Sequence, residues 1–237
     1  MKSAYLSKLQ HDIRSLVYKI EQYIDDEINI KIDKSRKDIL ACEVDKYGAT
    51  ILIPEADFFP DGSVLHELLH IHRLCLEKVP RLVVCDKYWT PELEKGITKL
   101  DNNLEHFIIV PKEFGLRPEQ KECWRSYINK ELENFHFLNH IKNDQERRAL
   151  IYWAFINHAL PEAALISKAG VLIESLGIMD RASQFLDATI SCIDEKDKLV
   201  KVCFEHLNLP VDIGCLEYID CKNKLCYETP LDNVKIM

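Results

Sequence analysis

The sequence predicts an α+β fold that is mostly helical. Apolar residues recur at three- and four-residue spacing over most of the chain, which is the period of one helix face. Two short runs near the N-terminal end, residues 39–44 and 49–53, have strand character, with turn residues between them. With 237 residues, the chain is long enough for one large domain or two small ones. The expected division is 1–115, combining helices with a small β-hairpin or sheet, and 116–237, mainly helical.

Residues 4–25 read as one amphipathic helix, because Leu6, Leu9, Ile13, Leu16, Val17, Ile20 and Ile24 share a stripe. Asp45-Lys46-Tyr47-Gly48 has turn chemistry and joins the two strands as a hairpin. Pro60-Asp61-Gly62-Ser63 offers Asp61 or Ser63 as the N-cap of a helix over 64–78, which Pro80 should stop. Residues 81–85 read as a strand. A helix is expected from about Thr98 to just before Pro111, with 112–118 as a linker. Beyond it, Cys123, Trp124, Tyr127, Ile128, Leu132 and Phe135 form one helical stripe. Residues 149–160 form a buried helix, and 162–176 and 180–207 are further helices. Residues 215–229 suggest a small hairpin around Lys222-Asn223-Lys224.

Composition narrows the class. Hydrophobic residues at 47% and charged residues at 30% are an ordinary globular balance. No apolar run approaches the roughly 18–20 residues that span a bilayer, and the N-terminus has no signal-like apolar region, so a cytoplasmic protein that does not meet the membrane is expected. A net charge of −8 argues against broad nonspecific nucleic-acid binding. Nine cysteines are many. A disulfide framework is not expected in a reducing compartment, so most should be small buried residues, with some available as metal ligands.

One motif carries chemistry. His66-Glu67-Leu68-Leu69-His70 falls within a helix, where positions i and i+4 lie one turn apart on one face. His66 and His70 can therefore direct ring nitrogens at one ion, and two imidazoles with an open position suit Zn²⁺. Glu67 sits beside that ion and is the candidate general base for a zinc-bound water. The bland alternative is a pair of satisfied core or surface histidines. His72 points to another face and reads as a surface or supporting residue. A catalytic zinc usually takes a third protein ligand. The helix around Asp101 and Glu105 supplies candidates, with Glu105 favoured for its longer reach and Asp101 expected to support it. His106 is a candidate contact to substrate or to a ligand, or a packing histidine.

These features resemble the ImmA/IrrE family of zinc metallopeptidases. The likeness rests on His66, Glu67 and His70, followed about thirty residues later by an acidic helix that carries Asn102 and ends at Pro111, and it covers roughly residues 1–115. Within that family the chain is most similar to the branch encoded in bacterial CBASS antiphage operons. The resemblance implies a zincin-like domain joined to a sensor or regulatory domain. It implies a zinc endopeptidase that cleaves a helix-turn-helix transcriptional repressor, with single-stranded DNA as a possible activator. It also implies a cysteine that caps the zinc. Cys85 fits that place, because it follows the helix break at Pro80, and its thiolate could displace the catalytic water; its other reading is a buried strand cysteine. Cys215, Cys221 and Cys226 lack a CxxC pair and read as buried or redox-sensitive residues.

Lys121, Arg125, Arg147, Arg148, Lys196, Lys198 and Lys201, with Trp124, Tyr127 and Trp153, are the candidate nucleic-acid contacts, although solvated charges and core aromatics explain them as well. The competing function is a noncatalytic DNA- or protein-binding sensor that keeps the fold. An intact Glu67 argues against it, since a pure sensor needs no base. A deformylase-like hydrolase is disfavoured by the lack of that family's Gly-rich and upstream Cys motifs.

Overall fold

The computed structural model describes residues 1–135 and 142–234. Its fold is α+β and mostly helical, as the periodicity indicates. The chain divides into two compact units, residues 1–81 with 216–229, and residues 82–215 with 230–237. Residue 115, the boundary that the sequence suggests, lies inside the second unit, near the end of a helix.

The first unit begins with α1 (Ser3–Leu6) and α2 (His11–Ile24). The periodicity predicts one continuous helix here, and the chain breaks at residues 7–10 instead. The Ser7 hydroxyl turns back onto the Ala4 carbonyl at 3.0 Å, and helical bonding restarts at the Gln10 carbonyl, which accepts from Arg14 N–H. The α2 face of Ile13, Val17, Ile20 and Ile24 is buried as the stripe requires. Next come β1 (Asn29–Ile32), β2 (Ala41–Asp45) and β3 (Gly48–Ile53), in the sheet order β1-β3-β2. The β2–β3 hairpin matches the sequence reading. Asp45 Oδ1 accepts from Tyr47 N–H at 2.7 Å and Gly48 N–H at 3.1 Å, and Gly48 adopts φ +153°, a conformation L side chains rarely take. The parallel β1, four residues long and largely exposed, has no counterpart among the expected elements.

Helix α3 (Asp61–Cys75) carries the HExxH residues. Asp61 occupies its first turn, where an acidic side chain suits the helix dipole, and Pro60 precedes it with no side-chain cap. Val64, Leu65, Leu68, Leu69, Ile71 and Cys75 are buried, and the helix packs against α2, β2 and β3. Each such leucine or isoleucine contributes about 1.5–3 kcal/mol when fully buried, so α3 is anchored by its apolar face. The hairpin expected at 215–229 is present as the neighbours β5 (Gly214–Asp220) and β6 (Leu225–Pro230). Asp220 Oδ1 accepts from Asn223 N–H at 3.1 Å in their turn.

The second unit takes up the chain at β4 (Arg81–Val84), then α4 (Pro91–Leu116), α5 (Gln120–Glu133), α6 (Lys142–Ala159), α7 (Ala163–Ser175), α8 (Met179–Ser191) and α9 (Lys196–His206). The stretch 180–207 is thus two helices. Helix α4 corrects the sequence reading at both ends. It starts at Pro91, with Thr90 capping Leu93 N–H at 3.2 Å, and it continues through Pro111 and the expected linker to Leu116. A helical proline removes the bond to the carbonyl four residues back, here Phe107. The His158 ring on α6 packs edge to face on the Phe107 ring, with centroids 6.5 Å apart, and burial lowers its pKa. Among the described residues, no helix is long and apolar enough to cross a membrane.

Candidate metal centre

Helix geometry brings His66 and His70 together as their spacing requires. Their Nε2 atoms lie 3.2 Å apart, on rings packed edge to face. Two nitrogens that each bind a tetrahedral zinc at about 2.0–2.1 Å must themselves be roughly 3.3–3.4 Å apart. The observed separation matches that edge, so both rings converge on one point without a rotamer change. The same distance also suits an N–H···N hydrogen bond, with one ring in the donor tautomer. His70 is buried and His66 partly so. Leu65, Leu68 and Leu69 lock the helix beneath them. The donor chemistry and spacing fit a zinc ion held by His66 and His70.

Glu67 is partly buried, and desolvation pushes its pKa up, against the opposing pull of the His66 charge. Cys42 on β2 lies near the Glu67 carboxylate, and burial, reinforced by that charge, raises the Cys42 thiol well above its ordinary value, so that it stays protonated. No motif marks Cys42 in the sequence; its only cue is a place on the strand that packs on α3. His72 faces away as expected, with Nδ1 3.2 Å from Glu77 Oε1 and Nε2 3.2 Å from Lys19 Nζ.

In the second unit, Asp101 and Glu105 share the ammonium of Lys196, at 2.7 and 2.6 Å. All three groups are buried. Asp101 also accepts from Leu82 N–H at 3.1 Å. Desolvation, the largest influence, raises the Asp101 pKa, Lys196 lowers it, and Glu105 raises it again. Burial pulls Lys196 down, but the two carboxylates more than offset it, so its pKa is raised. The sequence suggests Lys196 as a surface cation and nucleic-acid candidate; it is instead the internal partner of both proposed acidic ligands. His106, also on α4, packs edge to face on Trp124 with centroids 5.0 Å apart.

Cys85 requires correction. Its sulfur is bonded to Cys215, with Cα atoms 5.4 Å apart, and Cys85 N–H bonds the Ile213 carbonyl beside it. A zinc-capping role needs a thiolate, and a cystine has none to give. The expectation of no disulfide fails for the same reason: two cysteines 130 residues apart in sequence meet in the fold.

The candidate nucleic-acid contacts are mostly engaged inside the protein. Arg125 pairs with Glu162 at 2.6 Å and also with Glu122; Lys121 pairs with Glu162, Arg148 with Glu131 and Lys198 with Glu195. Arg147 donates to the Leu207 carbonyl at 2.7 Å, and Lys201 donates to the Val234 carbonyl. Trp124 packs against Phe155 and Tyr127, and donates to Glu113 at 3.0 Å. Compared with known protein families, curated proteins and solved structures, the chain matches none.

Proposed function

We propose that the chain is a zinc-dependent endopeptidase with a zincin-like site, in which His66 and His70 hold the metal and Glu67 is the general base. The 3.2 Å convergence of the two Nε2 atoms carries this reading, with Glu67 placed between them in sequence. Zinc bound there would supply a Lewis acid that polarises a scissile carbonyl and acidifies water. His66 and His70 would hold the ion, on a helix whose apolar face is locked. Glu67 accepts the proton of the attacking water and can return it to the leaving amine.

The proposed substrate is a partner protein, a helix-turn-helix repressor, in bacterial stress or antiphage signalling, with single-stranded DNA as a possible activator. This part rests on the resemblance of residues 1–115.

The test is Glu67→Gln. This variant should keep its zinc and fold, and lose hydrolysis of the repressor by at least about 10²-fold, the lower range for a general base. Cleavage at the wild-type rate would remove Glu67 from the reaction and favour a noncatalytic sensor.

A further inference from the structure

The geometry points to Cys75 and Cys221 as a modification site: a buried dithiol that a low-molecular-weight disulfide, of the glutathione class, oxidises to a cystine. Cys75 is the last residue of α3, and Cys221 is the first residue after β5; both belong to the first unit. Their sulfurs are 3.5 Å apart, although 146 residues separate them in sequence. A disulfide bond is about 2.05 Å long, so closure moves the sulfurs by only about 1.5 Å. Neither thiol belongs to the proposed metal centre.

The two thiols are not equivalent. The Cys221 S–H reaches the Asp45 carbonyl at 3.3 Å, which leaves the Cys75 S–H directed at the Cys221 sulfur. The hydrogen bond from Cys75 favours the Cys221 thiolate and lowers its pKa, while the same contact together with burial pushes the Cys75 thiol up. Cys221 is therefore the attacking sulfur and Cys75 the resolving one. Both residues are buried, but Cys221 opens the β5–β6 turn, and Lys222, Asn223 and Lys224 after it are exposed. Local opening of this turn uncovers Cys221 and leaves α3 folded.

The Cys221 thiolate attacks one sulfur of the small disulfide RSSR, forming a mixed disulfide and releasing RS⁻. When the turn closes, the Cys75 thiol gives its proton to solvent and its sulfur attacks Cys221, releasing a second RS⁻. The net change is two protein thiols oxidised to one cystine and one RSSR reduced to two RSH. The product ties the end of the HExxH helix to the hairpin.

The test uses the full-length chain and oxidised glutathione, followed by acid quench, alkylation in denaturant and peptide mass mapping. A linked Cys75–Cys221 peptide should appear and vanish with dithiothreitol. In Cys75→Ser, the same treatment should stop at a glutathione adduct on Cys221. Exposed Cys123 and Cys226 report ordinary surface reaction and should carry adducts without a partner. Recovery of both Cys75 and Cys221 as alkylated thiols from the oxidised wild type overturns the proposal, as does a glutathione adduct on Cys221 that never resolves in the wild type. The wild-type readout needs neither a variant nor bound zinc.

Discussion

Replacing Lys196 by methionine removes the ammonium that Asp101 and Glu105 share. The methionine chain fills most of the volume of the lysine stem, so the change is chiefly one of charge. The two ion pairs that disappear are 2.7 and 2.6 Å long, and the lysine is only 5% exposed. Deleting one partner of a buried ion pair costs about 3–5 kcal/mol, because the other partner stays desolvated. Here two carboxylates are left facing each other, so the upper part of that range is expected at neutral pH. That is a large fraction of the roughly 5–15 kcal/mol that holds a typical protein folded.

The sign of the pH dependence follows from the groups themselves. Burial already raises Asp101 above 3.8, and the lysine is what restrains it. Without the lysine its folded pKa climbs further. A carboxyl with a raised folded pKa stabilises the fold below its unfolded pKa and loses that contribution as pH rises through the folded value. The deficit of Lys196→Met should therefore be smallest near pH 4 and grow toward neutrality. Wild-type Lys196, raised above 10.5, keeps its contribution until pH passes that value. Urea titrations followed by circular dichroism at pH 4 and pH 7 measure this. Lys196→Met/Glu105→Gln should recover part of the loss. A deficit below about 1 kcal/mol at pH 7, or one independent of pH, would refute the buried charge cluster.

Cys85→Ser should destabilise the second unit. Opening a loop of 130 residues removes up to about 5 kcal/mol of unfolded-state constraint, read as a lower urea midpoint in the absence of reductant; an unchanged midpoint means the bond is not formed. Pro111→Ala should stabilise the second unit by up to about 3 kcal/mol, because alanine restores the N–H that α4 lacks opposite the Phe107 carbonyl; an unchanged or lower midpoint in thermal melts would contradict this.

What can be read from the sequence is local. The i, i+4 spacing puts His66 and His70 on one helix face, and the structure shows their rings converging there. The β2–β3 turn is legible because Asp45 and Gly48 bring their own turn chemistry. Pro111 misleads, because α4 continues through it to Leu116, and the packing that holds a helix across a proline, here against α6, comes from residues distant in sequence. Lys196 misleads for a similar reason. A lysine among charged neighbours reads as solvated until two carboxylates from α4, more than 90 residues earlier, are seen to enclose it. The cysteines carry no local mark that separates Cys85, bonded to Cys215, from Cys75, paired as a thiol with Cys221. Strand β1 is too short and too exposed to show a period.

The central claim is that His66 and His70 form a zinc site. Metal content of the purified wild type and of His66→Ala/His70→Ala, measured by mass spectrometry after zinc loading and dialysis, tests it most directly. About one zinc per chain in the wild type and essentially none in the variant is the expected result. Equal zinc in the two proteins, or none in a folded wild type, would contradict the account.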